Sequence, residues 1–177
     1  MNDQLYIISG GPGSGKTSII NELKSRGYNC FGEAARSVIE QQQQLNSEIH
    51  PLSDVYAFTE LVVGQMKLNL QQASSKGLCF FDRGLPDSAG YLMAGNNVVP
   101  EYLDREIKLA PYNKKVFITP FWKEIYKTDE VRFESPEEAM LIENFLIQAY
   151  QDYGFSVVKI PFLPVEERVN FIISELQ

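Results

Sequence analysis

The feature that most constrains this chain is the glycine-rich stretch GGPGSGKT at residues 10–17, close to its N-terminus. The stretch has the spacing G-x-x-x-x-G-K-[ST], filled by Gly10, Gly15, Lys16 and Thr17. Such a loop turns backbone N–H groups toward phosphate oxygens, and it needs a buried strand before it and a helix after it. Residues 5–8 predict that strand and residues 17–26 that helix. We therefore predict that this phosphate loop, residues 10–17, binds a nucleoside triphosphate.

The side chains of the phosphate loop have separate predicted roles. Lys16 is expected to reach the β- and γ-phosphates, and the Thr17 hydroxyl is expected to ligate Mg²⁺. ATP and Mg²⁺ are thus the predicted cofactors. The residues predicted to contact the nucleotide are Gly11, Pro12, Gly13, Ser14, Gly15, Lys16, Thr17 and Ser18.

The composition excludes several other classes of function. The 177 residues carry a net charge of −7 and contain no cluster of Lys and Arg, so nucleic acid is not an expected partner. No apolar run approaches the roughly 20 residues that span a bilayer, and the early first strand leaves no room for a signal peptide. Cys30 and Cys79 lie in apolar stretches without metal or redox spacing, which favours core positions and a cytoplasmic location.

Strand and helix patterns alternate along the chain, which predicts a parallel sheet covered by helices on both faces. The strands are expected at residues 5–8, 28–31, 78–81, 115–118 and 155–160. The helices are expected at residues 17–26, 33–45 and 54–73, from the capping sequence at 135–138 to 153, and from 164 onward. The predicted fold is one three-layer α/β/α domain over residues 1–177 with a five-stranded parallel sheet.

Two regions without a clear pattern interrupt this alternation. Residues 86–113 separate the third and fourth strands, and residues 121–134 separate the fourth strand from the next helix. Insertions at the carboxyl ends of parallel strands lie over the ligand crevice. We therefore predict a substrate-covering insertion at 86–113 and a lid at 121–134.

Charged residues follow the apolar third strand directly. A lone buried carboxylate is costly, so Asp82 is expected to face a cation, which in a protein with this loop is Mg²⁺. Arg83 is a candidate to hold a phosphate or a substrate anion. The alternative is that Asp82 and Arg83 form an ion pair that caps the next helix.

A second acid and arginine follow the second strand. Glu33 and Arg36 lie three residues apart and share a helix face, and a surface ion pair would explain them equally well. Together with Asp82 and Arg83 they supply a base and cations for phosphoryl transfer. Glu33 is the candidate base and Asp82 the metal-linked acid, although the sequence leaves open which of the two is the base. Arg36 and Arg83 are the candidate substrate-binding residues.

The predicted lid contributes a further candidate, Arg132. Small-molecule kinases supply arginines from a mobile lid at this place in the chain order, where closure excludes water. Arg132 is therefore predicted to act on the γ-phosphate. A salt bridge to Glu130 or Glu134 is the alternative.

Five segments, GGPGSGKT, GEAAR, FFDRGLPD, FWKEIYKTDEVRFES and PFLPVEERVNFI, together resemble the NadR-like, AAA-type predicted ATPase family in their order and spacing. The resemblance runs nearly end to end. It implies a kinase-like P-loop NTPase fold with strand order 2-3-1-4-5, and it implies less about substrate. The DRG segment also resembles thymidylate kinases, and an acid ending the second strand resembles deoxynucleoside kinases.

The chain departs from two relatives of that fold. It has no room for the C-terminal helical domain of hexameric AAA+ motors. The guanine-binding pattern Asn-Lys-x-Asp is also missing, since residues 113–116 read NKKV and precede a strand. ATP is therefore preferred over GTP by default.

Two functions remain open from the sequence. The first is a kinase that moves the γ-phosphate of ATP to a hydroxyl of a nucleoside-like or other small metabolite. The second is a nucleotide-dependent binding protein that recognises a partner or an anionic lipid without a phosphate acceptor. The acceptor and the oligomeric state, monomer or homodimer, are not determined by the sequence.

Overall fold

The computed structural model describes residues 4–126 and 134–176 of the chain. Their strands are β1 (Leu5–Ser9), β2 (Asn29–Phe31), β3 (Cys79–Asp82), β4 (Lys115–Ile118) and β5 (Ser156–Lys159). Their helices are α1 (Lys16–Ser25), α2 (Ala34–Gln44), α3 (Val55–Ala73), α4 (Leu85–Ala94), α5 (Glu101–Leu109), α6 (Pro136–Asp152) and α7 (Val165–Ser174). The elements alternate as the sequence predicts.

The five strands form one parallel sheet with the order β2-β3-β1-β4-β5, which confirms the predicted three-layer fold. Strand β1 lies at the centre, and its residues pair with β3 and β4 in register, Ile8 with Asp82 and Ser9 with Ile118. All strands therefore end at one edge of the sheet. The segments that follow β1, β2, β3 and β4 start there, and this edge is where ligands bind in open α/β folds.

Side chains of the central strands alternate between two hydrophobic clusters, one on each face of the sheet. Leu5 and Ile7 pack into the larger cluster with residues of α2 to α6. Tyr6 and Ile8 pack into the smaller cluster with residues of α1 and α7. Because β1 is buried on both faces, it reads as a continuous apolar run, as a central parallel strand should.

The start of α6 follows the capping pattern in the sequence. The Ser135 hydroxyl accepts a hydrogen bond from Glu138 N at 3.2 Å, and Glu138 Oε2 accepts one from Ser135 N at 2.7 Å. Two otherwise unpaired backbone donors are satisfied in this way. This helix packs behind the phosphate loop, since a Cβ on Gly11 would lie 2.8 Å from the Ala139 carbonyl.

Residues 86–113 are not the irregular insertion that the sequence suggested, because they form most of α4 and all of α5. Proline in the first turn of α4 fixes a helical φ, and Asp87 Oδ2 accepts from Gly84 N at 2.8 Å. Gly90 then allows close packing on α6, where a Cβ would lie 2.8 Å from Leu146 Cδ2. The glycines and proline that resembled loop residues thus start α4 and let it pack tightly.

The predicted lid is only partly described. Residues 121–126 form a short turn in which the rings of Phe121 and Tyr126 lie 5.1 Å apart. Arg132, predicted to act from this lid, falls outside the described residues. Among the helices of residues 4–126 and 134–176, none has the length and apolarity needed to cross a membrane.

Candidate functional site

The phosphate loop joins the end of β1 to the start of α1. Its glycines take backbone conformations that other residues avoid, with φ of +142° at Gly10 and +71° at Gly13. A Cβ on Gly10 would lie 2.3 Å from Thr119 Oγ1, and one on Gly13 would lie 2.7 Å from the Tyr126 ring. Turns of this kind aim successive N–H groups into a concavity that binds anions.

Lys16, the first residue of α1, is 6% exposed and folds back over the phosphate loop. Its Nζ donates to the carbonyl oxygens of Gly11 at 2.8 Å and Gly10 at 3.0 Å. Burial and the positive charge of Arg83 together lower the pKa of Lys16 to about 8. The ammonium group is thus stabilised by uncharged carbonyls only in part, and an anionic phosphate would be a stronger partner.

Asp82, the last residue of β3, is buried beside Lys16. Burial raises its pKa, and its Oδ1 has no hydrogen-bond partner among the described residues. A buried carboxylate oxygen without a donor is free to ligate a cation. Thr17 and Ser18, in the first turn of α1, have exposed side chains that line the crevice beside the phosphate loop.

These residues fit Mg²⁺ as the sequence predicted. No group of three His, Cys, Asp or Glu side chains that could hold a metal occurs in the part of the chain that the structure describes. Mg²⁺ in nucleotide sites uses one or two protein oxygens and otherwise takes water and phosphate oxygens. Asp82 and the Thr17 hydroxyl match that donor set, so both remain the proposed metal residues.

Arg83 connects the candidate residues that the sequence separates. Its Nε donates to Glu33 Oε1 at 2.9 Å, and its Nη1 donates to the carbonyl of Gly10 at 3.1 Å. The residue is buried and has a φ of +71°, an uncommon conformation for a side chain of this size. Strain of this kind persists where the surroundings hold it, and it occurs often at functional sites.

Asp87 holds Arg83 in place and was not singled out from the sequence. Its Oδ1 accepts from Arg83 Nη1 at 3.1 Å and from Ser9 Oγ at 2.5 Å. Its Oδ2 accepts from Gly84 N and from the Tyr150 hydroxyl. Both oxygens of this buried side chain have hydrogen-bond partners, so Asp87 holds the Arg83 guanidinium toward the phosphate loop.

The sequence carries one signal for this role. Asp87 follows Pro86 in the first turn of α4, a position where an acid caps the helix start. Its contacts with Ser9 and Tyr150 depend on packing across the fold and leave no local pattern.

Glu33, the residue before α2, lies at the mouth of the crevice. Burial alone would raise its pKa, but Arg83, Lys16 and Arg36 together lower it to about 2. The carboxylate is therefore ionised at neutral pH and only weakly basic while Arg83 donates to it. Arg83 thus pairs with Glu33, and the alternative Asp82–Arg83 pair is not among the ion pairs of the described residues.

Arg36 lies on the exposed side of α2 and lines the same crevice as Glu33. Among the ion pairs of residues 4–126 and 134–176, none involves Arg36, so the surface pair of Glu33 with Arg36 does not form there. Its charge still acts on Glu33, whose pKa it lowers. Arg36 is therefore available to an anion that enters the crevice.

A cavity of about 600 Å³ lies beside the phosphate loop. It is lined by residues 12–18 and by Glu33, Arg36, Arg83 and Tyr91. The Tyr91 ring stacks on the Arg83 guanidinium, with 5.1 Å between its centroid and Cζ. A cavity of this volume is within the size range of sites for small molecules and cofactors.

Four more residues line the cavity: Ile125, Glu134, Val165 and Arg168. The first two belong to the predicted lid at 121–134, whereas the sequence analysis did not single out Val165 or Arg168. Arg168 belongs to α7, far from the other charged residues in the sequence, and is 5% exposed. The other buried residues of α7 are the apolar Val169 and Ile172, so the sequence pattern of this helix gives no sign of a functional side chain.

Comparisons with known proteins agree with this geometry. The family model described as AAA domain matches residues 5–168. A comparison with curated proteins found no match.

Solved structures with the same fold include two kinds of kinase. The deoxyadenosine kinase from M. mycoides, whose structure holds dCMP and dCDP, has a TM-score of 0.69 at 20% identity, over 97% of this chain and 98% of that one. Thymidylate kinase from Candida albicans has a TM-score of 0.69 at 14% identity, over 97% and 89%. Thymidylate kinase from Ehrlichia chaffeensis has a TM-score of 0.64 at 15% identity, over 98% of each chain. At identities this low, the structural similarity shows that the fold is shared and does not show a shared activity.

Proposed function

The chain belongs to the AAA-domain family, and from that premise we propose that it is a phosphate-loop kinase for a small molecule. The observation that carries the proposal is the position of Arg83, which touches both the phosphate loop at Gly10 and the candidate base Glu33. A cation between a triphosphate site and an acid is what phosphoryl transfer requires. The narrower NadR-like assignment stays a prediction, because the family match does not extend to it.

In the proposed reaction an acceptor hydroxyl attacks the γ-phosphorus of ATP. A bond forms between the acceptor oxygen and phosphorus, the bond from phosphorus to the β–γ bridging oxygen breaks, and ADP leaves. The hydroxyl proton passes to Glu33, which lines the same cavity as the phosphate loop. When bound by Asp82 and Thr17, Mg²⁺ would neutralise charge on the phosphates.

The acceptor is proposed to be a nucleoside-like or other small metabolite. Deoxyadenosine and thymidylate kinases share the fold, and this supports an acceptor of that size. Arg36 and Arg83 on the acceptor side favour a compound that also carries negative charge. ATP remains the preferred donor by default.

One observation favours the second candidate, a nucleotide-dependent binding protein. The Glu33–Arg83 pair leaves Glu33 with a pKa of about 2, which makes it a weak base in this state. If the pair persists when nucleotide is bound, no base serves the acceptor. Bound phosphate would compete for Arg83, however, and losing this partner would raise the pKa of Glu33 and make it a better base. The kinase therefore remains the better-supported proposal.

Nucleotide binding, on which both candidates depend, is tested by titration calorimetry with Mg-ATP. Lys16→Ala should weaken binding beyond detection, because it removes the charge that lies over the phosphate loop. Lys24→Ala, on the exposed side of the same helix, is the matched control and should bind as wild type does. Equal affinity of wild type and Lys16→Ala would overturn the proposed site.

A further inference from the structure

Arg168 is a charged side chain on α7 that is buried against the phosphate loop. It is 5% exposed, and its Nη1 lies 3.0 Å from the position that a Cβ on Gly15 would take. Gly15 is the N-cap of α1, the end of the helix that attracts anions. The guanidinium therefore lies next to the part of the loop predicted to hold phosphate.

Within residues 4–126 and 134–176, no acid pairs with this buried charge. Among the ion pairs of the described ranges, none includes Arg168, and its Nε lacks any hydrogen-bond partner there. The only charge-related contact of its guanidinium in those ranges is with the Trp122 ring, 5.6 Å from Cζ to the centroid. Burial accordingly lowers the pKa of Arg168. A buried guanidinium without a hydrogen-bond acceptor is unfavourable, and a bound anion would supply the missing acceptor and the compensating charge.

A packing role is the simpler explanation and does not account for these contacts. Arginines used for packing keep their charged head in water, whereas the Arg168 head is covered and faces the 600 Å³ cavity. Arg26, which also lies between α1 and α7, differs from Arg168 in having partners for its charge. Arg26 crosses from α1 to α7 with an ion pair to Glu22 and a hydrogen bond to Asn170, so its charge is satisfied within the protein.

We infer that Arg168 binds the phosphate chain of the nucleotide from α7, next to Gly15, whereas Arg83 contacts the loop at Gly10. Its planar guanidinium can donate two parallel hydrogen bonds to one phosphate group. The Trp122 ring keeps the guanidinium plane in place before the nucleotide arrives. This inference rests on the proposed function, since it adds a residue to the same nucleotide site.

The test compares Mg-ATP with inorganic pyrophosphate by titration calorimetry, because pyrophosphate has neither base nor ribose. Arg168→Met should weaken both ligands by a similar factor of about 10- to 100-fold, which is the usual effect of losing a charge-assisted hydrogen bond. Arg168→Lys retains the charge without the planar fork and should show a smaller loss. Arg26→Met is the matched control on the same pair of helices and should bind both ligands as wild type does.

Each other result contradicts the inference. If Arg168→Met weakens ATP and leaves pyrophosphate unchanged, the residue contacts the nucleoside portion instead. If neither affinity changes, Arg168 is not part of the site, while wild-type ATP binding still supports the proposed function. If wild type binds neither ligand, the proposed function fails and this inference with it.

The melting temperature of the ligand-free protein separates binding from packing. Removing an unpaired buried charge should leave the melting temperature of Arg168→Met unchanged or raised. A fall of several degrees relative to wild type would show that Arg168 supports the fold, and would overturn the inference.

Discussion

The Nε of Arg83 donates to the carboxylate of Glu33 across 2.9 Å, and this ion pair joins the end of β3 to the start of α2. The two residues lie 50 positions apart in the chain. The pair holds the candidate base in its ionised form beside the phosphate loop. An acceptor or phosphate that attracts Arg83 would release Glu33 and raise its pKa. Glu33 would therefore become a stronger base only when the site is occupied.

The low pKa of Glu33 predicts a loss of stability in acid. Its pKa is about 2 in the folded protein and about 4.5 ordinarily, so the folded state favours the ionised form. The stabilisation, at most about 3 kcal/mol, is fully present above pH 4.5 and is lost as the pH falls through 2. Urea unfolding of wild type and Glu33→Gln from pH 2 to 6 measures it. The stability difference between the two should shrink toward low pH; a constant difference would mean that Glu33 does not titrate as described.

Asp82 and Asp87 are matched buried acids with opposite predicted effects. Asp82 has an oxygen without a partner, whereas Asp87 accepts from four donors. Asp82→Asn removes a poorly compensated charge, so the melting temperature of the metal-free protein should be unchanged or raised. Asp87→Asn breaks a buried pair with Arg83 and should destabilise the protein by about 3–5 kcal/mol.

Asp82→Asn also tests the assignment of Asp82 as a Mg²⁺ ligand. Asp82→Asn should reduce Mg²⁺-dependent turnover more than ATP affinity, because an amide supplies no charge to the ion. A Mg²⁺ titration of ATP turnover and calorimetry with ATP measure these two quantities, and thermal unfolding measures the stability changes of Asp82→Asn and Asp87→Asn. Undiminished turnover with wild-type Mg²⁺ dependence in Asp82→Asn would make Asp82 a structural residue.

The pKa of Lys16 predicts that ATP binding takes up a proton at alkaline pH. Burial lowers this pKa to about 8, and bound phosphates should raise it again by favouring the charged amine. The affinity for ATP should therefore fall as the pH rises above 8, by at most about tenfold per pH unit. Calorimetry at pH 9 in two buffers of different ionisation enthalpy measures the uptake. In Lys16→Arg, which does not deprotonate, the uptake should vanish; uptake that persists there comes from another group.

The glycines of the chain allow a matched test of the phosphate loop. Gly10→Ala places a Cβ 2.3 Å from Thr119 Oγ1 at a φ of +142°, so it should destabilise the protein by more than about 1 kcal/mol. Gly64→Ala, in the exposed middle of α3 with open space around it, should stabilise by about 0.5–1 kcal/mol. Urea unfolding compares them. Equal stability of the two variants would contradict the close packing of the loop.

The sequence predicts the sheet and the edge at which the site lies. The apolar residues of β1, β3 and β4 mark central strands because both faces of these strands are buried. Asp82 could be placed at the carboxyl edge because a charge directly follows such a run. The phosphate loop could also be predicted, because its backbone turn requires glycines at fixed positions and these are visible in the motif.

Two helices and most of the site contacts were beyond the sequence. Gly84, Pro86 and Gly90 suggest a loop, and they form a helix because α4 packs tightly on α6. The partners of Arg83 and the burial of Arg168 are set by contacts between segments far apart in the chain. Periodicity within one helix carries no information about such contacts, so the Glu33–Arg83 ion pair was not among the pairs that the sequence suggested.

The central claim is that phosphate passes to a small acceptor with Glu33 at the attacking hydroxyl. The most direct measurement is ADP release by wild type in a panel of nucleosides, nucleoside monophosphates and other hydroxyl-bearing metabolites, against the background rate in water. Glu33→Gln is measured beside it, with Glu40→Gln on the exposed side of α2 as the control. We predict that one class of compounds stimulates ADP release in wild type and the control, and that Glu33→Gln lowers this rate by about 10²- to 10⁴-fold while ATP affinity is retained. If no hydroxyl compound raises ADP release above the water background, the protein is not a small-molecule kinase.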